Sequence, residues 1–358
     1  MLTLIYFILI LGIVVFIHEL GHFIFAKKAG VYVYEFSLGM GPRILKFNRK
    51  PKKKKVKGKT VTIKDETDYC IRLFPIGGFV QMAGEEVEVD EKIPPEKRLQ
   101  SKKWHQRFMV MVAGVMNNFI LAFVIFLIIG WTNTLSLNST KLTEIDNNMY
   151  PTLQEGDRIV SIDGVKINNY DRLNLELQIH LENEFDMKVK HDNGEYETVK
   201  VKPKAIKNDK GDLEGLEYGF YVTGDEAKGF VAGIKYACGK WLSTVEQMFW
   251  TVWYLITGKI SLKLLSGPVG IYKIVGQASA MGFTSILSLL ALLNINVGFI
   301  NILPLPAFDG GHALFLIIEK IKGSPVNQKV ENTIHNIFFV LLMLLMIYVT
   351  FNDILRFF

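Results

Sequence analysis

The sequence is poor in cysteine and proline. Its 358 residues include two cysteines, 11 prolines and 30 glycines, which excludes a disulfide scaffold and a collagen-like repeat. Hydrophobic residues make up 49% of the chain and charged residues 21%, and this balance excludes a disordered protein. The net charge of +6 is small. Apolar and charged residues are strongly segregated along the chain, however, so this average conceals the organisation of the protein.

Four long apolar segments predict membrane-spanning helices. They cover residues 1–26, 107–131, 284–312 and 333–352. A helix of about 20 apolar residues is long enough to cross the hydrocarbon core of a bilayer. A buried helix of a soluble protein rarely stays apolar for so long. The sequence therefore predicts a polytopic α-helical membrane protein with four transmembrane helices.

The charges between the spans predict the orientation of the chain. Residues 27–106 carry 19 Lys/Arg and 10 Asp/Glu, whereas residues 131–283 carry 17 and 20. Because basic loops stay in the cytoplasm, we expect 27–106 inside and 131–283 outside, together with both termini. The lysine cluster at 52–55 is interpreted as a solvated turn that faces lipid. No nucleic-acid partner is expected.

Both large loops contain strand patterns. In the 27–106 loop, residues 31–36 and 69–74 flank the lysine-rich turn and predict a membrane-associated β-hairpin or small sheet. Outside, residues 156–164 alternate between apolar and polar side chains and end in an Asp-Gly turn. This pattern predicts a compact β-rich domain at 138–205. The remaining region, 206–283, includes an amphipathic helix at 230–258.

The first apolar span contains an H-E-x-x-H pattern, since residues 18–22 read His-Glu-Leu-Gly-His. On a helix, positions i and i+4 share one face with Cβ atoms about 5–6 Å apart, which suits two imidazoles on one Zn²⁺. Glu19 lies one position further round, where it can take a proton from water and return it to a leaving amine. Two histidines and a carboxylate inside a span are costly without a metal. We therefore predict a zinc site at His18 and His22, with Glu19 as the catalytic base.

A catalytic zinc needs a third protein ligand and one open position. Asp309 is the acidic residue of the third span, and it follows Pro304 and Pro306. These prolines break the helix and free backbone to line a cavity. Asp309 is the favoured ligand because it lies at the same membrane depth as the H-E-x-x-H pattern. His312 and His335 are the alternatives.

These motifs together resemble the site-2 protease family and, more narrowly, its bacterial RseP/RasP-type regulated intramembrane zinc metalloproteases. The resemblance covers nearly the whole chain. It implies one zinc ion held by His18, His22 and Asp309, with Glu19 as the base. It also implies that 138–205 is a PDZ domain outside the bacterial inner membrane, with the active site near the cytoplasmic side. The motifs are residues 18–22, 36–42, 77–82, 266–271 and the N-x-x-P-x-P-x-x-D-G run at 301–310.

A substrate helix must unwind before a protease can reach its peptide bonds, and unpaired backbone groups cost several kcal/mol each in lipid. Addition of the substrate as a strand to the edge of the predicted hairpin would satisfy those groups. Glycines near the hairpin allow this close approach of two backbones. The predicted substrate-binding residues are Gly39, Gly41, Gly77 and Gly78 from this reasoning, and Asn296 and Asn301 from the resemblance.

The leading hypothesis is an intramembrane zinc endopeptidase. Its expected partners are single-span membrane proteins, such as anti-sigma factors or remnant signal peptides, the lipid bilayer, and an upstream site-1-type protease that trims the same substrates. The outer domain would then exclude untrimmed substrates by size. The alternative hypothesis is a PDZ-bearing membrane scaffold with a structural or vestigial metal site. A structural zinc would need four protein ligands, whereas the sequence offers three good ones.

Overall fold

The computed structural model describes residues 2–48, 52–56, 59–63, 67–85, 93–132, 135–136, 139–180, 183–207, 213–223, 226–227, 229–262, 265–324 and 326–357. The helices are α1 (Leu2–Lys28), α2 (Trp104–Thr132), α3 (Tyr170–His180), α4 (Phe230–Ile256), α5 (Pro268–Met281), α6 (Phe283–Ile302), α7 (Asp309–Lys322) and α8 (Gln328–Phe357). The strands are β1 (Val33–Asn48), β2 (Lys52–Val56), β3 (Lys59–Ile63), β4 (Asp68–Met82), β5 (Leu135–Ser136), β6 (Lys141–Thr143), β7 (Arg158–Ile162), β8 (Val165–Lys166), β9 (Phe185–Lys190), β10 (Tyr196–Val201), β11 (Lys204–Lys207), β12 (Leu213–Glu217), β13 (Tyr221–Thr223) and β14 (Glu226–Ala227).

Four of the described helices are long and apolar enough to cross a membrane. They are α1, α2, α6 and the Lys329–Leu355 part of α8. Together with the sheets, they make this chain a polytopic membrane protein with a β-rich domain, as the sequence predicts. The expected β-hairpin region is longer than its two predicted strands, because β1 and β4 each double back. Residues 49–51, 57–58, 64–66 and 86–92 of that loop lie outside the described residues.

The third span is shorter than the predicted 284–312. Helix α6 ends at Ile302, and the next helix, α7, begins at Asp309. Pro304 and Pro306 lie in the break, and neither can donate a backbone hydrogen bond to continue the helix. The break thus places Asp309 at the start of a separate helix.

The chain divides into two compact units, residues 1–122 with 265–358 and residues 123–264. In the first unit, β1 and β4 pair in three registers: 33–38 with 78–82 and 43–48 with 68–72 run antiparallel, and a middle pairing joins 35–38 to 68–71. The segments lie in the order 78–82, 33–38, 68–72 and 43–48, so within the described residues 78–82 and 43–48 form the two edges of this sheet. The sheet packs through Val33, Phe36 and Val80 against Ala26 of α1 and Val110 of α2. One sheet edge is therefore anchored beside the first two membrane helices.

A buried carboxylate holds this sheet together. Glu35 is 2% exposed and accepts hydrogen bonds from Arg72, whose Nη2 lies 2.7 Å from Oε1, and from Arg43. Arg72 also donates to Ser37 and stacks on the ring of Phe79 in the edge segment. Burial works to raise the pKa of Glu35, but the two guanidinium groups outweigh it and hold that pKa below its usual range.

The second unit is built around an antiparallel sheet of six strands. Its order is β10-β9-β7-β6-β13, with β8 also paired to β7. The core contains Leu142, Ile159, Phe185 and Met187, which are fully or almost fully buried. The domain extends beyond the predicted end at residue 205, because β13 pairs with β6 over a long sequence separation. Its identity as a PDZ domain stays a prediction.

Helix α3 of the second unit packs on α4. Arg172 and Glu176 form an ion pair of 2.8 Å between side chains that are each 3% exposed. The hydroxyl of Tyr254 donates to Glu176, and the Arg172 guanidinium stacks on Trp250. Burial and the neighbouring Glu176 raise the pKa of Tyr254 to about 12, so this hydroxyl stays a donor at neutral pH. The helix predicted at 230–258 thus serves as a support for the β-rich domain.

Candidate metal centre

Helix α1 presents His18 and His22 on one face, as their i, i+4 spacing requires. Both side chains are buried, and their Nε2 atoms lie 3.2 Å apart. The second ring nitrogen of His22, Nδ1, lies 2.8 Å from the backbone carbonyl of Val110 in α2. This hydrogen bond puts the proton on Nδ1 and leaves the Nε2 lone pair of His22 available for a metal.

Asp309 reaches the two histidines from the first turn of α7. Its Oδ2 lies 3.1 Å from Nε2 of His18 and 3.2 Å from Nε2 of His22. The preceding loop folds tightly over α7, so that a Cβ at Gly310 would overlap the carbonyl oxygens of Ile302 and Leu303. The glycine after Asp309 therefore allows the close approach that brings the carboxylate into the first unit's interior.

The three atoms fit a zinc ion. Zinc lies about 2.0–2.2 Å from nitrogen and oxygen ligands, so two ligands of a tetrahedral site are about 3.4 Å apart. The three separations here are 3.1, 3.2 and 3.2 Å. Two neutral imidazoles and one carboxylate are also the donor chemistry of catalytic zinc. His18, His22 and Asp309 would hold the ion, and a fourth position is left for chemistry.

Two glycines let α1 and α2 approach closely beside these ligands. A Cβ at Gly21 would overlap the carbonyl of Ala113. A Cβ at Gly114 would overlap Nε2 of His22 and lie 2.8 Å from Cε1 of His18. Small residues at helix crossings of this kind are typical of membrane proteins. Sequence reasoning missed Gly114, although a glycine in an apolar span is a signal of close packing.

Glu19 and the three metal-binding candidates line one cavity of about 570 Å³. Its wall also contains residues 78–82, the edge segment of the β1–β4 sheet. A Cβ at Gly78 would lie 3.0 Å from Cγ of Glu19. The edge of a sheet, a carboxylate and a candidate metal site thus meet in one cavity of the first unit.

The other predicted substrate residues are distributed differently. Gly39, Gly41 and Gly77 have φ values of +84°, +83° and +78° and lie where the two long strands turn back. Of the four predicted glycines, Gly78 is the one that lines the cavity in the described part of the chain. Asn296 and Asn301 lie on α6 and are half-buried.

The alternative ligands His312 and His335 lie in a second cluster with Glu331. The two imidazoles stack with centroids 4.0 Å apart, and Nε2 of His335 is 4.0 Å from Oε1 of Glu331. The backbone N–H of Ala307 donates to Nδ1 of His335 over 2.8 Å. A neutral imidazole that accepts at Nδ1 carries its proton on Nε2, so His335 has no lone pair left for a metal. This cluster instead supports Ala307, which adopts a φ of +75° two residues before Asp309.

Comparison with known proteins gives the family. The model for peptidase family M50 matches residues 6–345. The chain belongs to this family. M50 peptidases include the site-2 proteases, so the resemblance found in the sequence is confirmed. The chain is a zinc metalloprotease.

Relatives of this M50 peptidase match it over its full length. It is 31% identical over 436 aligned residues to the regulator of sigma-W protease RasP of Bacillus subtilis, with 99% of each chain covered. It is 33% identical to the zinc metalloprotease RasP of Bacillus licheniformis, again with 99% of each chain covered. The corresponding protein of Oceanobacillus iheyensis is 32% identical, with 100% of each chain covered.

Proposed function

We propose that this M50 peptidase cleaves peptide bonds within the membrane-spanning segments of single-span proteins. The observation that carries the proposal is the convergence of His18, His22 and Asp309 next to Glu19, in a cavity bordered by membrane-spanning helix α1. Charged and polar side chains are rare in such helices and mark functional sites. A site buried at this position meets a substrate that is itself in the membrane.

The metal ligands and Glu19 have separate roles in the proposed reaction. His18, His22 and Asp309 would hold one zinc ion, which would supply Lewis-acid chemistry for a substrate carbonyl and for water. Glu19 accepts a proton from the attacking water and donates it to the nitrogen of the departing amine. The open side of the three-ligand set supports a catalytic rather than a structural site, because structural zinc has four protein ligands.

The edge segment 78–82 binds the substrate as an added strand. An unwound substrate has unpaired N–H and C=O groups, and a sheet edge satisfies them. This segment lines the cavity that contains Glu19, whereas the opposite edge, 43–48, is separated from it by two strand segments. Asn296 and Asn301 hold the substrate near the metal.

The proposed substrates are pre-trimmed single-span proteins of the anti-sigma factor or remnant signal peptide class. One relative is named as a regulator of sigma-W protease, which supports the first class. An upstream site-1-type protease would shorten the outer part of the substrate. The β-rich domain, as an outer PDZ domain of the bacterial inner membrane, would exclude longer substrates by bulk. The charge asymmetry of the loops supports this orientation, with the active site near the cytoplasm.

The test is a cleavage reaction in vesicles with a model single-span substrate. Two versions of the substrate carry either a short outer tail or a folded outer domain, and mass spectrometry maps the products. We expect cleavage of the short version at a bond within its span, and none by the Asp309→Ala variant. Cleavage outside the span would contradict an intramembrane protease. Intact zinc without cleavage of either version would favour a membrane scaffold with a structural metal.

A further inference from the structure

The two histidines of the metal centre differ in what their second nitrogen meets. Nδ1 of His22 has a backbone carbonyl as its partner, that of Val110. Nδ1 of His18 instead faces the side-chain amide of Asn118 in α2, with Nδ2 of the amide 3.4 Å away. Asn118 is fully buried, at 0% exposure.

The proton on His18 decides whether the ring can bind zinc. A neutral imidazole has one protonated and one free nitrogen. If Nδ1 of His18 accepts from the amide, the proton lies on Nε2, which faces Asp309 and His22 and could not then ligate. A zinc ligand needs the reverse arrangement, with a proton on Nδ1 and an acceptor beside it.

Asn118 has such an acceptor to offer. Its Oδ1 is buried and has no hydrogen-bond partner among the residues that the structure describes. Buried polar atoms of proteins almost always have a partner. A 180° rotation of the side-chain amide exchanges the positions of Oδ1 and Nδ2, and the rotated group fills nearly the same space. It brings the unpartnered oxygen to Nδ1 of His18.

We infer that Asn118 is a positioning residue of the zinc site, which accepts a hydrogen bond at Oδ1 from Nδ1–H of His18 when zinc is held. It matches the role that the Val110 carbonyl has for His22. Both partners come from α2, so this helix sets the proton position of both histidines. The inference rests on the proposed zinc ligands, His18, His22 and Asp309.

The neighbouring Asn117 supplies a matched control. It has the same side chain and the same helix, but its Nδ2 donates to the backbone carbonyl of Ile17 over 3.3 Å. Asn117 thus links α2 to α1 and contacts no proposed zinc ligand in the described interactions. Loss of zinc through general loosening of the helices would affect both asparagine positions. If zinc is lost because His18 no longer has the Oδ1 acceptor, only substitution of Asn118 would weaken zinc binding.

The experiment compares the full-length wild-type chain with Asn118→Leu, Asn118→Asp and Asn117→Leu, each purified in detergent. Zinc retention is measured by competition with a chromophoric chelator. The visible absorption of Co²⁺-substituted protein reports the ligand geometry. We expect Asn118→Leu to bind zinc about 10- to 100-fold more weakly and to change the cobalt spectrum. Asn118→Asp keeps an acceptor and should restore both readouts, and Asn117→Leu should match the wild type.

Several results would overturn the inference. They are unchanged zinc binding in Asn118→Leu, equal losses in Asn118→Leu and Asn117→Leu, or a loss in Asn118→Asp as large as in Asn118→Leu. If Asn118→Leu does not fold, the zinc binding and cobalt spectrum of Asn118→Asp against the wild type decide the question. A wild-type chain that binds no zinc would contradict the proposed function itself. A wild type and an Asn118→Leu variant that bind zinc equally would contradict only the role of Asn118.

Discussion

Gly114 should be essential for the metal centre although it ligates nothing. In the variant Gly114→Ala, the new Cβ would lie 2.8 Å from Cε1 of His18 and would overlap Nε2 of His22. Ordinary contact begins at 3.4 Å, so relieving the His18 contact alone requires a movement of about 0.6 Å, and the closer contact with His22 requires more. Zinc–ligand distances in proteins lie within about 0.2 Å of their usual values.

The required movement is at least about three times that range, and we expect zinc affinity to fall by up to about 100-fold. Helix formation itself should not suffer, because alanine favours a helix over glycine by about 1 kcal/mol. The assay is zinc content after dialysis against a chelator, with helix content measured by circular dichroism. The matched control is Gly12→Ala in α1, where a Cβ meets nothing within 4 Å. Wild-type zinc binding by Gly114→Ala would refute the packing of α2 against the two histidines.

Three further predictions concern the sheets and their supports. Successive N–H groups of a strand point to opposite edges, and proline removes the N–H group, so either Val80→Pro or Gln81→Pro should slow cleavage while zinc content stays normal. Unchanged cleavage by both variants would exclude the edge segment 78–82 as the substrate site. Arg172→Met leaves the Glu176 carboxylate buried without its cation and should destabilise the β-rich domain by about 3–5 kcal/mol in thermal unfolding. An effect below about 1 kcal/mol would contradict a buried ion pair. The pKa of Glu35 lies below the ordinary value of about 4.3, so its contribution to sheet stability should persist above that pH and disappear as the pH falls through the lowered pKa. Hydrogen exchange of the sheet measures this stability, and a Glu35→Gln variant should lose the acid dependence.

Local patterns in the sequence carried the prediction of the metal centre. His18 and His22 share a helix face because of their spacing alone, and the two prolines before Asp309 predict a break that exposes backbone. The partners from α2 could not be derived in the same way. Val110 and Gly114 meet the histidines only because two helices cross at a particular point, and no short pattern records that crossing.

For the sheets, too, the sequence predicts the positions of strands but not the pairing of strands that are far apart in the chain. Strand patterns at 31–36 and 69–74 predict pairing, but they do not reveal that both strands double back to give four segments. The sequence predicts an end of the β-rich domain at 205 because the alternating pattern stops there. Strand β13 joins that sheet through β6, almost 80 residues earlier, and such a pairing depends on the tertiary structure.

The most direct measurement determines zinc content and cleavage in the same preparations of the wild type and Glu19→Gln. The substrate is a single-span protein with a short outer tail, in vesicles. We expect about one zinc per chain in both proteins and cleavage within the span by the wild type alone, since an amide in place of the Glu19 carboxylate could not accept a proton from water. Undiminished cleavage by Glu19→Gln would contradict the proposed base, and a wild type that binds no zinc would contradict the metal centre.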